Sequence, residues 1–262
     1  MVAASPGDAS SFASGSYVDA TGYVLPCRLL LPERSEPGAR YPLVLALHGA
    51  GERGSDNTAQ LRNGIGALLT ARRRAFPCVA IVPQCALERR WVEVDWSAAS
   101  HRLPSTPSAP LHAVLSLVDA LLQPPPRPPA LGLALASAPV PAIDPARLYL
   151  LGLSMGGYGV WDALARQPQR FAAAIPICGG AADAQAEPIA TARVAVWAFH
   201  GALDPVVAVE RSRKIVAALR RCGAAVRYTE YADVGHDSWH RALAEPELWP
   251  WLFSQHNPSN LP

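Results

Sequence analysis

The sequence has few charged residues and no surplus of either sign. Asp, Glu, Lys and Arg make up 17% of its 262 residues, and 23 basic residues against 21 acidic ones leave a formal net charge of +2. A chain so close to neutral lacks the basic surface that binding to nucleic acid or to an acidic membrane requires. The one dense basic cluster, residues 71–75, is typical of a solvated helix end. Neither nucleic acid nor a membrane is therefore an expected partner.

Long apolar runs are also missing. No stretch approaches the roughly 20 residues that a membrane-spanning helix needs. Residues 1–16 are small and polar, without the basic region followed by an apolar one that marks a signal peptide. We expect residues 1–16 to be disordered or loosely attached, and a leader that had already been removed would leave no trace here.

Cysteines are few and show no metal-binding spacing. The five are Cys27, Cys78, Cys85, Cys178 and Cys222. Cys78 and Cys85 lie at the two ends of one predicted strand, about 23 Å apart at roughly 3.3 Å per residue. A disulfide needs Cα atoms within about 7 Å. Reduced, mostly buried thiols are predicted, which favours a cytoplasmic location, and no metal site is expected.

Apolar, β-rich runs alternate with helical patterns along the chain. Several runs are apolar at nearly every position, as is typical of strands covered on both faces. The repetition of strand, helix and strand predicts an α/β fold with a mostly parallel central sheet between helices. The predicted strands are residues 23–32, 41–49, 78–85, 147–153, 171–180, 194–201 and 225–232. The predicted helices are residues 58–73, 111–123, 156–167, 208–222 and 245–254.

Residues 124–145 interrupt this alternation and are dense in proline and alanine. Proline fixes φ and removes a backbone donor, so neither a helix nor a central strand is expected there. The segment is interpreted as a surface insertion, with a linker between domains as the alternative. Because the flanking strands fit one sheet, residues 1–262 are predicted to form a single domain.

A lone serine among glycines stands between an apolar run and a helical pattern. Residues 152–156, Gly-Leu-Ser-Met-Gly, match G-x-S-x-G in the strand–turn–helix context of a nucleophile elbow. At such a turn the chain passes too close for a Cβ atom at the glycines, and the next helix directs free N–H groups towards the site. Ser154 is the predicted nucleophile. The alternative is a glycine-rich helix start with Ser154 as its N-cap.

A serine nucleophile needs a histidine to accept its proton and an acid to orient that histidine. With this elbow the chain order is serine, acid, histidine. His236 is the predicted base because it lies in a glycine-containing loop after the last predicted strand. Asp204 is the predicted acid because it follows strand 194–201 in a loop anchored by proline and apolar residues. The candidates ranked lower are His200, His240, His256, Asp183, Glu187, Asp233 and Asp237.

Acyl transfer also needs donors directed at the developing alkoxide. One predicted donor is the backbone N–H of Met155, next to the nucleophile. The second should come from the loop after the strand that ends at Gly49, where Ala50 is the first candidate and Gly51 the next. Phosphate binding by this glycine-rich loop is the alternative, but the loop has no lysine and no G-x-x-x-x-G-K pattern. His48 is expected to brace the loop by hydrogen bonding.

With these motifs the chain resembles the serine esterases of the α/β-hydrolase superfamily. The group is that of dienelactone-hydrolase-like, prolyl-oligopeptidase-like and feruloyl- or polyhydroxybutyrate-esterase-like proteins. The resemblance spans residues 42–241 and implies the same roles for Ser154, Asp204 and His236. Dienelactone hydrolases use a cysteine nucleophile, so lactone specificity does not carry over. The matching segments are "LALHGAGERGSDN", "VPQC" followed by "W", "LYLLGLSMGGYGVWDAL", "FAAAIPICGG", "AFHGALDPVV" and "YADVGHDSWHRA".

Four side chains are predicted to line the substrate pocket. Gln84, Trp91 and Trp96 lie at or beyond the carboxyl end of one predicted strand, and Trp239 follows His236 closely. Aromatic walls suit a flat or apolar acyl or alcohol group. Packing of the tryptophans in the core is the alternative.

The sequence is therefore interpreted as a serine carboxylesterase for short- to medium-chain or aromatic esters, working through an acyl-enzyme. The expected partner is a small-molecule ester, without a metal or organic cofactor. One alternative is a serine peptidase of the prolyl-oligopeptidase-like type, although 262 residues leave no room for a peptide-screening propeller. The other is a non-catalytic hydrolase-fold binding protein, which should have lost members of the triad. The natural ester and the oligomeric state are left open.

Overall fold

One nine-stranded sheet runs through the part of the chain that the structure describes. The structure is a computed structural model, and it describes residues 11–124, 133–135, 139–257 and 259. The strands are β1 (Ala13–Val18), β2 (Val24–Leu30), β3 (Arg40–Leu47), β4 (Val79–Pro83), β5 (Leu133–Leu135), β6 (Ala142–Leu153), β7 (Ala173–Ile177), β8 (Ala195–Gly201) and β9 (Arg227–Tyr231).

The sheet is mostly parallel, as the alternating pattern predicts. Its order is β5-β1-β2-β4-β3-β6-β7-β8-β9. The six strands from β4 to β9 in this order pair in parallel, whereas β2, β1 and β5 form an antiparallel edge. Because parallel strands end at the same edge, the loops that follow β3, β6, β8 and β9 lie on one side of the molecule.

Helices cover both faces of the sheet. Alternate residues of β3 separate between two apolar clusters, with Leu43, Leu45 and Leu47 in one and Val44 and Ala46 in the other. The first cluster includes residues of α2 (Ala109–Leu122), α3 (Met155–Arg166), α4 (Ala186–Thr191) and α5 (Glu210–Arg221). The second includes residues of α1 (Ile65–Arg72), α6 (Trp239–Ala244) and α7 (Leu248–Ser254). The predicted α/β architecture, a mostly parallel central sheet between helices, is confirmed.

The N-terminal segment differs from the expectation that residues 1–16 are loosely attached. Residues 1–10 lie outside the described residues, but β1 pairs with β2 from Ala13 opposite Leu29 to Val18 opposite Val24. Phe12 is only 3% exposed and packs in the second apolar cluster. Burial of this ring and six residue pairs attach residues 12–18 to the sheet, which a small, polar composition does not reveal.

Residues 124–145 are not simply an insertion. Residues 125–132 and 136–138 lie outside the described residues, whereas β5 pairs with β1 and β6 begins at Ala142. The expectation of no central strand is therefore wrong for residues 142–145. The register changes from Tyr41 opposite Ile143 to Leu43 opposite Leu148, and this irregularity accommodates Pro145 within the strand.

Two short helices are absent from the sequence-based prediction. The region of Asp183 and Glu187, where no helix is predicted, forms a 3-10 turn at Asp183–Gln185 followed by α4. A further helix, α6, lies directly before residues 245–254, the range in which one helix is predicted and α7 is found. At six residues each, α4 and α6 are too short for a periodic signal. Within the described ranges, no helix combines the length and apolar character that crossing a bilayer would need.

Candidate active site

Ser154 forms the turn between β6 and α3. Its backbone has φ 52° and ψ −116°, a region that a serine enters only under strain. The turn is held on both sides, because Ser154 N–H donates to the carbonyl of Ile177 at 2.9 Å and Tyr158 N–H donates to the carbonyl of Ser154 at 3.2 Å. The backbone that carries the Ser154 hydroxyl is therefore held in place at the carboxyl edge of the sheet.

The two glycines of the motif allow the close approach that this turn requires. A Cβ on Gly156 would lie 2.0 Å from the carbonyl oxygen of Leu47, and one on Gly152 would lie 2.4 Å from that of Gly156. No side chain fits at such distances from a backbone oxygen. The glycines thus let α3 start directly against the ends of β3 and β6.

The structure brings Ser154, His236 and Asp204 into one hydrogen-bonded chain. The Nε2 atom of His236 lies 2.8 Å from the Oγ of Ser154, and its Nδ1 lies 2.7 Å from Oδ2 of Asp204. A carboxylate only accepts, so Nδ1 carries the hydrogen and Nε2 of the neutral ring is free to accept the serine proton. Asp204 follows β8 and His236 follows β9, so the contact depends on adjacent strand ends.

Asp204 is held as a carboxylate by four donors. Its Oδ1 accepts the backbone N–H groups of Val206 and Val207 at 2.8 and 2.9 Å, and its Oδ2 faces His236 and His200. Burial of the side chain raises its pKa, but the hydrogen bonds, led by those from His200 and His236, outweigh burial and hold the pKa well below its usual range. The acid therefore carries its charge throughout the physiological range.

His200 is a partner of Asp204 that the sequence reasoning missed. In the sequence, His200 ranks lower as a base because it precedes Asp204. In the structure its buried Nε2 lies 3.1 Å from Oδ2 of Asp204 and 2.9 Å from the carbonyl of Val207. Two acceptors facing one nitrogen require a hydrogen there. Its Nδ1 lies 2.7 Å from the Oγ of Ser212. The sequence signal that could have indicated this contact is the position of His200 at the end of β8, four residues before Asp204.

The predicted oxyanion donors lie beside the elbow. Ala50 and Gly51 open the 3-10 turn Ala50–Glu52 after β3, and Met155 is the first residue of α3. A Cβ on Gly49 would lie 2.8 Å from a methyl carbon of Leu153, so this loop packs against the end of β6. The first N–H groups of a helix have no acceptor within the helix. The role of these three residues remains a prediction.

His48 braces the loop after β3, as expected. Cys85 N–H donates to its Nε2 at 2.9 Å, so Nδ1 carries the hydrogen and donates to the carbonyl of Gly49 at 2.6 Å. The ring is completely buried, and burial lowers the pKa of His48 to about 4. The histidine is neutral near pH 7 and connects the loops that follow β3 and β4.

Gln84 and Trp91 do not line a pocket, contrary to the prediction. Both side chains are completely buried. The amide of Gln84 donates to the carbonyl of Glu52 at 3.1 Å and to Asp56 at 2.8 Å, and the indole of Trp91 donates to the carbonyl of His48 at 3.0 Å. The polar atoms of both side chains therefore donate hydrogen bonds to acceptors of the loop after β3 and do not face a substrate.

Trp239 and Trp96 are partly exposed. The ring of Trp239 lies edge-on to that of His236, with centroids 5.5 Å apart. The ring of Trp96 lies under the guanidinium of Arg90, and its carbonyl accepts from the hydroxyl of Tyr158 at 3.4 Å. Trp239 is thus at the site, and Trp96 is near the first turns of α3. Their contact with substrate remains a prediction.

Cys178 lies beside two of the candidate triad residues. Its sulfur and ligand atoms of Asp204 and His236 lie within 4.8 Å of one another, a spacing that could hold a metal ion. Burial raises the pKa of the Cys178 thiol well above its usual value, so the thiol stays protonated. A neutral thiol and an imidazole already engaged with Ser154 make a poor ligand set.

Comparisons with known proteins agree with this architecture. The model of a family described as phospholipase/carboxylesterase matches residues 111–246, which include Ser154, Asp204 and His236. A search of curated proteins gives no significant match.

Among solved structures, the chain is similar to a thermostable esterase, with 36% identity, a TM-score of 0.79 and 95% of this chain covered. It spans 64% of the length of that esterase. The fold also matches an S-formylglutathione hydrolase from Staphylococcus aureus, with 16% identity, a TM-score of 0.61, and 92% of this chain and 98% of that one covered. A ferulic acid esterase matches with 15% identity and a TM-score of 0.64, and the match covers 92% of this chain and 97% of that esterase. These last two likenesses concern the fold alone.

Proposed function

Because the chain belongs to the phospholipase/carboxylesterase family, we propose that it is a serine carboxylesterase that hydrolyses short- to medium-chain or aromatic esters through an acyl-enzyme. The single observation that carries the proposal is the hydrogen-bonded chain from the Oγ of Ser154 through His236 to Asp204. Such a chain supplies a nucleophile, a base and an orienting acid.

The reaction follows from these three groups. Nε2 of His236 takes the hydroxyl proton as the Oγ of Ser154 attacks the ester carbonyl, and the imidazolium then donates that proton to the leaving alcohol. A water molecule, deprotonated by the same Nε2, attacks the acyl-enzyme, and the proton returns to Ser154 as the acid leaves. Asp204 keeps Nδ1 protonated in both halves. No step requires a metal or an organic cofactor.

The developing alkoxide is stabilised by backbone donors beside the elbow. The N–H of Met155 and one from Ala50 or Gly51 are the proposed donors, because both segments begin helical turns that pack at the ends of β6 and β3. Loss of one such donor commonly costs about 3 kcal/mol of transition-state stabilisation.

Apolar side chains around the triad support an ester whose groups next to the reacting carbonyl are apolar. Leu203 and Val206, on either side of Asp204, are 64% and 54% exposed, and Trp239 packs edge-on against His236. Large apolar side chains left exposed beside a reactive group are typical of a ligand-binding surface.

The proposal is tested by turnover of 4-nitrophenyl esters that differ in acyl length and aromaticity. We expect the Ser154→Ala variant to lose at least about 10⁴-fold in kcat while keeping its circular dichroism spectrum. Ser254→Ala, at the exposed end of α7, is the matched control and should keep full activity. Equal activity in Ser154→Ala would reject Ser154 as the nucleophile.

Two measurements separate the alternative functions. A fluorophosphonate probe should label the wild type and not Ser154→Ala, whereas a non-catalytic binding protein would not be labelled. An ester and an anilide with the same acyl group separate esterase from peptidase, because a peptidase protonates and releases the poorer amine leaving group. Faster turnover of the anilide would contradict the esterase proposal.

A further inference from the structure

A pocket of about 590 Å³ opens beside the start of α5, on the edge of the sheet that carries Ser154. It lies between residues 99–103, which follow β4, and residues 181–184, which follow β7. Four of its lining residues are charged: Arg102, Asp183, Arg211 and Lys214. The esterase mechanism above makes no use of this pocket.

Arg211 is a buried cation in this lining, and it has no acidic partner among the residues that the structure describes. The residue is 2% exposed, and its Nε has no hydrogen-bond partner within the described residues. None of the ion pairs formed within the described residues includes it. An arginine keeps its charge in proteins, and a buried charge without a counter-charge is strongly unfavourable. Arg211 therefore lacks a counter-charge at hydrogen-bond distance among the described residues.

The groups that touch Arg211 do not neutralise it. One of its terminal nitrogens contacts Nδ1 of His101, and the guanidinium lies 5.6 Å from the centroid of the Tyr158 ring. Burial, with the charge of Arg211 adding to it, lowers the pKa of His101 to about 4, so the ring accepts as a neutral group near pH 7. Burial raises the pKa of Tyr158, so this side chain is neutral as well.

Gly180 allows the guanidinium to sit where it does. A Cβ at this position would lie 2.6 Å from Nε of Arg211 and 2.9 Å from the hydroxyl of Tyr158. Because a glycine stands here, no side chain comes between Nε and the segment that follows β7.

The charge of the lining favours an anion with a short apolar body. Arg102, Arg211 and Lys214 supply three positive charges, against one carboxylate from Asp183. Alanines and Leu103 make up most of the remaining wall. A guanidinium makes strong, charge-assisted hydrogen bonds to a carboxylate, and the apolar wall suits a short alkyl chain.

The pocket is connected to the proposed nucleophile through α3. Tyr158 lies one helical turn after Ser154 and donates its N–H to the carbonyl of Ser154. The pocket wall at Ala181 and Ala182 continues the segment of Gly179 and Gly180, which packs against Gly157 and Tyr158. The wall of the pocket is therefore continuous with the segment that packs against the first turn of α3.

We propose that this pocket binds a carboxylate group through Arg211, and that the ester hydrolysed at Ser154 carries this carboxylate. The substrate class is then that of esters with a free acid group, such as hemiesters of short dicarboxylic acids. This inference rests on the proposed esterase function for its ester part only. The carboxylate could instead come from a separate small acid, and the experiments below distinguish the two sources.

The first experiment compares monomethyl glutarate with methyl pentanoate, which has a methyl group in place of the carboxylate. We expect the wild type to prefer the hemiester, with kcat/KM at least about 10-fold higher in a pH-stat assay. Arg211→Met should lose this preference, and Arg211→Lys should keep part of it. A wild type that prefers the neutral ester, or an unchanged preference in Arg211→Met, would contradict the ester part of the proposal.

The second experiment measures binding without turnover. Calorimetric titration of glutarate into Ser154→Ala should give a Kd that rises at least about 10-fold when Arg211→Met is added. If Arg211→Met does not fold, the surface pair Arg102→Gln and Lys214→Gln should weaken binding several-fold. Arg211-dependent binding of glutarate without a kinetic preference would assign the site to a separate acid. Absence of both binding and preference would overturn the carboxylate site.

Failure of the esterase proposal has a different signature. An enzyme that hydrolyses neither methyl pentanoate nor any 4-nitrophenyl ester would reject that proposal, whereas the glutarate titration would still report on the pocket. Ester turnover therefore tests the esterase proposal, and the glutarate titration tests the carboxylate site independently.

Discussion

Ser154 is held in a backbone conformation that a serine adopts only at a cost of about 1–3 kcal/mol. Its φ of 52° is stabilised from outside the turn, by the hydrogen bond from its N–H to Ile177 and by the packing of the two motif glycines. Backbone strain of this kind persists only where the surrounding contacts are strong enough to impose the conformation. Here it directs a hydroxyl towards His236 instead of the core.

His200 positions Asp204, which leads to a prediction about catalysis. His200→Phe removes the Nε2–H donor and keeps a ring of similar size, so we expect kcat to fall about 10-fold with little change in KM. His200→Gln can donate a hydrogen bond from its amide and should recover part of the loss. Steady-state kinetics on a 4-nitrophenyl ester provide the test.

The matched control for this prediction is His256→Phe, in an exposed position near the C-terminus, which should behave as wild type. A His200→Phe enzyme with unchanged kcat would show that the backbone donors of Val206 and Val207 suffice to hold the acid.

His48 should make stability depend on pH. Its folded-state pKa of about 4 lies below the unfolded value of about 6.5, so the unfolded chain binds more protons between these values. Stability is therefore fully present above pH 6.5 and is lost as the pH falls towards 4. From pH 7 to pH 5 the contribution is about 2 kcal/mol. Urea unfolding at both pH values measures it.

The variant His48→Gln isolates this contribution from those of the other histidines. Its free energy of unfolding should fall less between pH 7 and pH 5 than that of the wild type. Parallel losses in the two proteins would mean that His48 is not the titrating group.

At the scale of elements, the junction of β6 and α3 depends on how closely α3 approaches β3. Gly156 touches the carbonyl of Leu47, the last residue of β3, and the loop that follows β3 is tied down by Gln84 and Trp91. The proposed oxyanion donors are therefore held by the same contacts that hold Ser154.

Gly156→Ala should disrupt this junction. A Cβ 2.0 Å from a backbone oxygen forces the start of α3 away from β3, so we expect a loss of at least about 3 kcal/mol in the free energy of unfolding. Thermal and urea denaturation provide the measurement.

Gly51→Ala is the matched control for stability, because a Cβ there meets nothing within 4 Å. It should change the free energy of unfolding by less than about 1 kcal/mol. Similar stability of the two variants would show that α3 can shift without cost.

At the scale of the whole molecule, the parallel sheet assembles the site by bringing strand ends together. Ser154, Asp204 and His236 are far apart in sequence but follow three strands, β6, β8 and β9, that lie on the same half of the sheet. The pocket at Arg211 opens on the same edge. One edge of the sheet thus carries both the proposed reaction and the proposed recognition of charge.

The burial of the thiols gives a prediction for the whole fold. All five cysteines are free, and only Cys222 is exposed. Burial raises the pKa of Cys27, Cys78 and Cys85 to about 12, so these groups are both inaccessible and protonated. With Ellman's reagent we expect one thiol to react rapidly in the native protein and all five after denaturation.

Cys222→Ser should abolish the rapid reaction of the native protein. Rapid reaction of a second thiol would indicate that the fold opens locally at one of the buried cysteines.

The sequence by itself determined the parallel sheet, the two layers of helices and the positions of the candidate triad. These features have local signals: apolar runs report burial on both faces, G-x-S-x-G reports a tight turn, and a loop after a strand reports a position at the sheet edge. Such signals need no knowledge of which distant segments touch.

Only the tertiary structure decided which side chains face the site. Trp91 and Gln84 are buried beside the loop after β3, and His200 contacts Asp204. Phe12 packs in the second apolar cluster, and Arg211 lies beside a pocket without an acidic partner among the described residues. Each of these outcomes depends on contacts between segments that are remote in sequence. Composition cannot distinguish a tryptophan that lines a pocket from one that fills the core, because burial of the same apolar surface stabilises both.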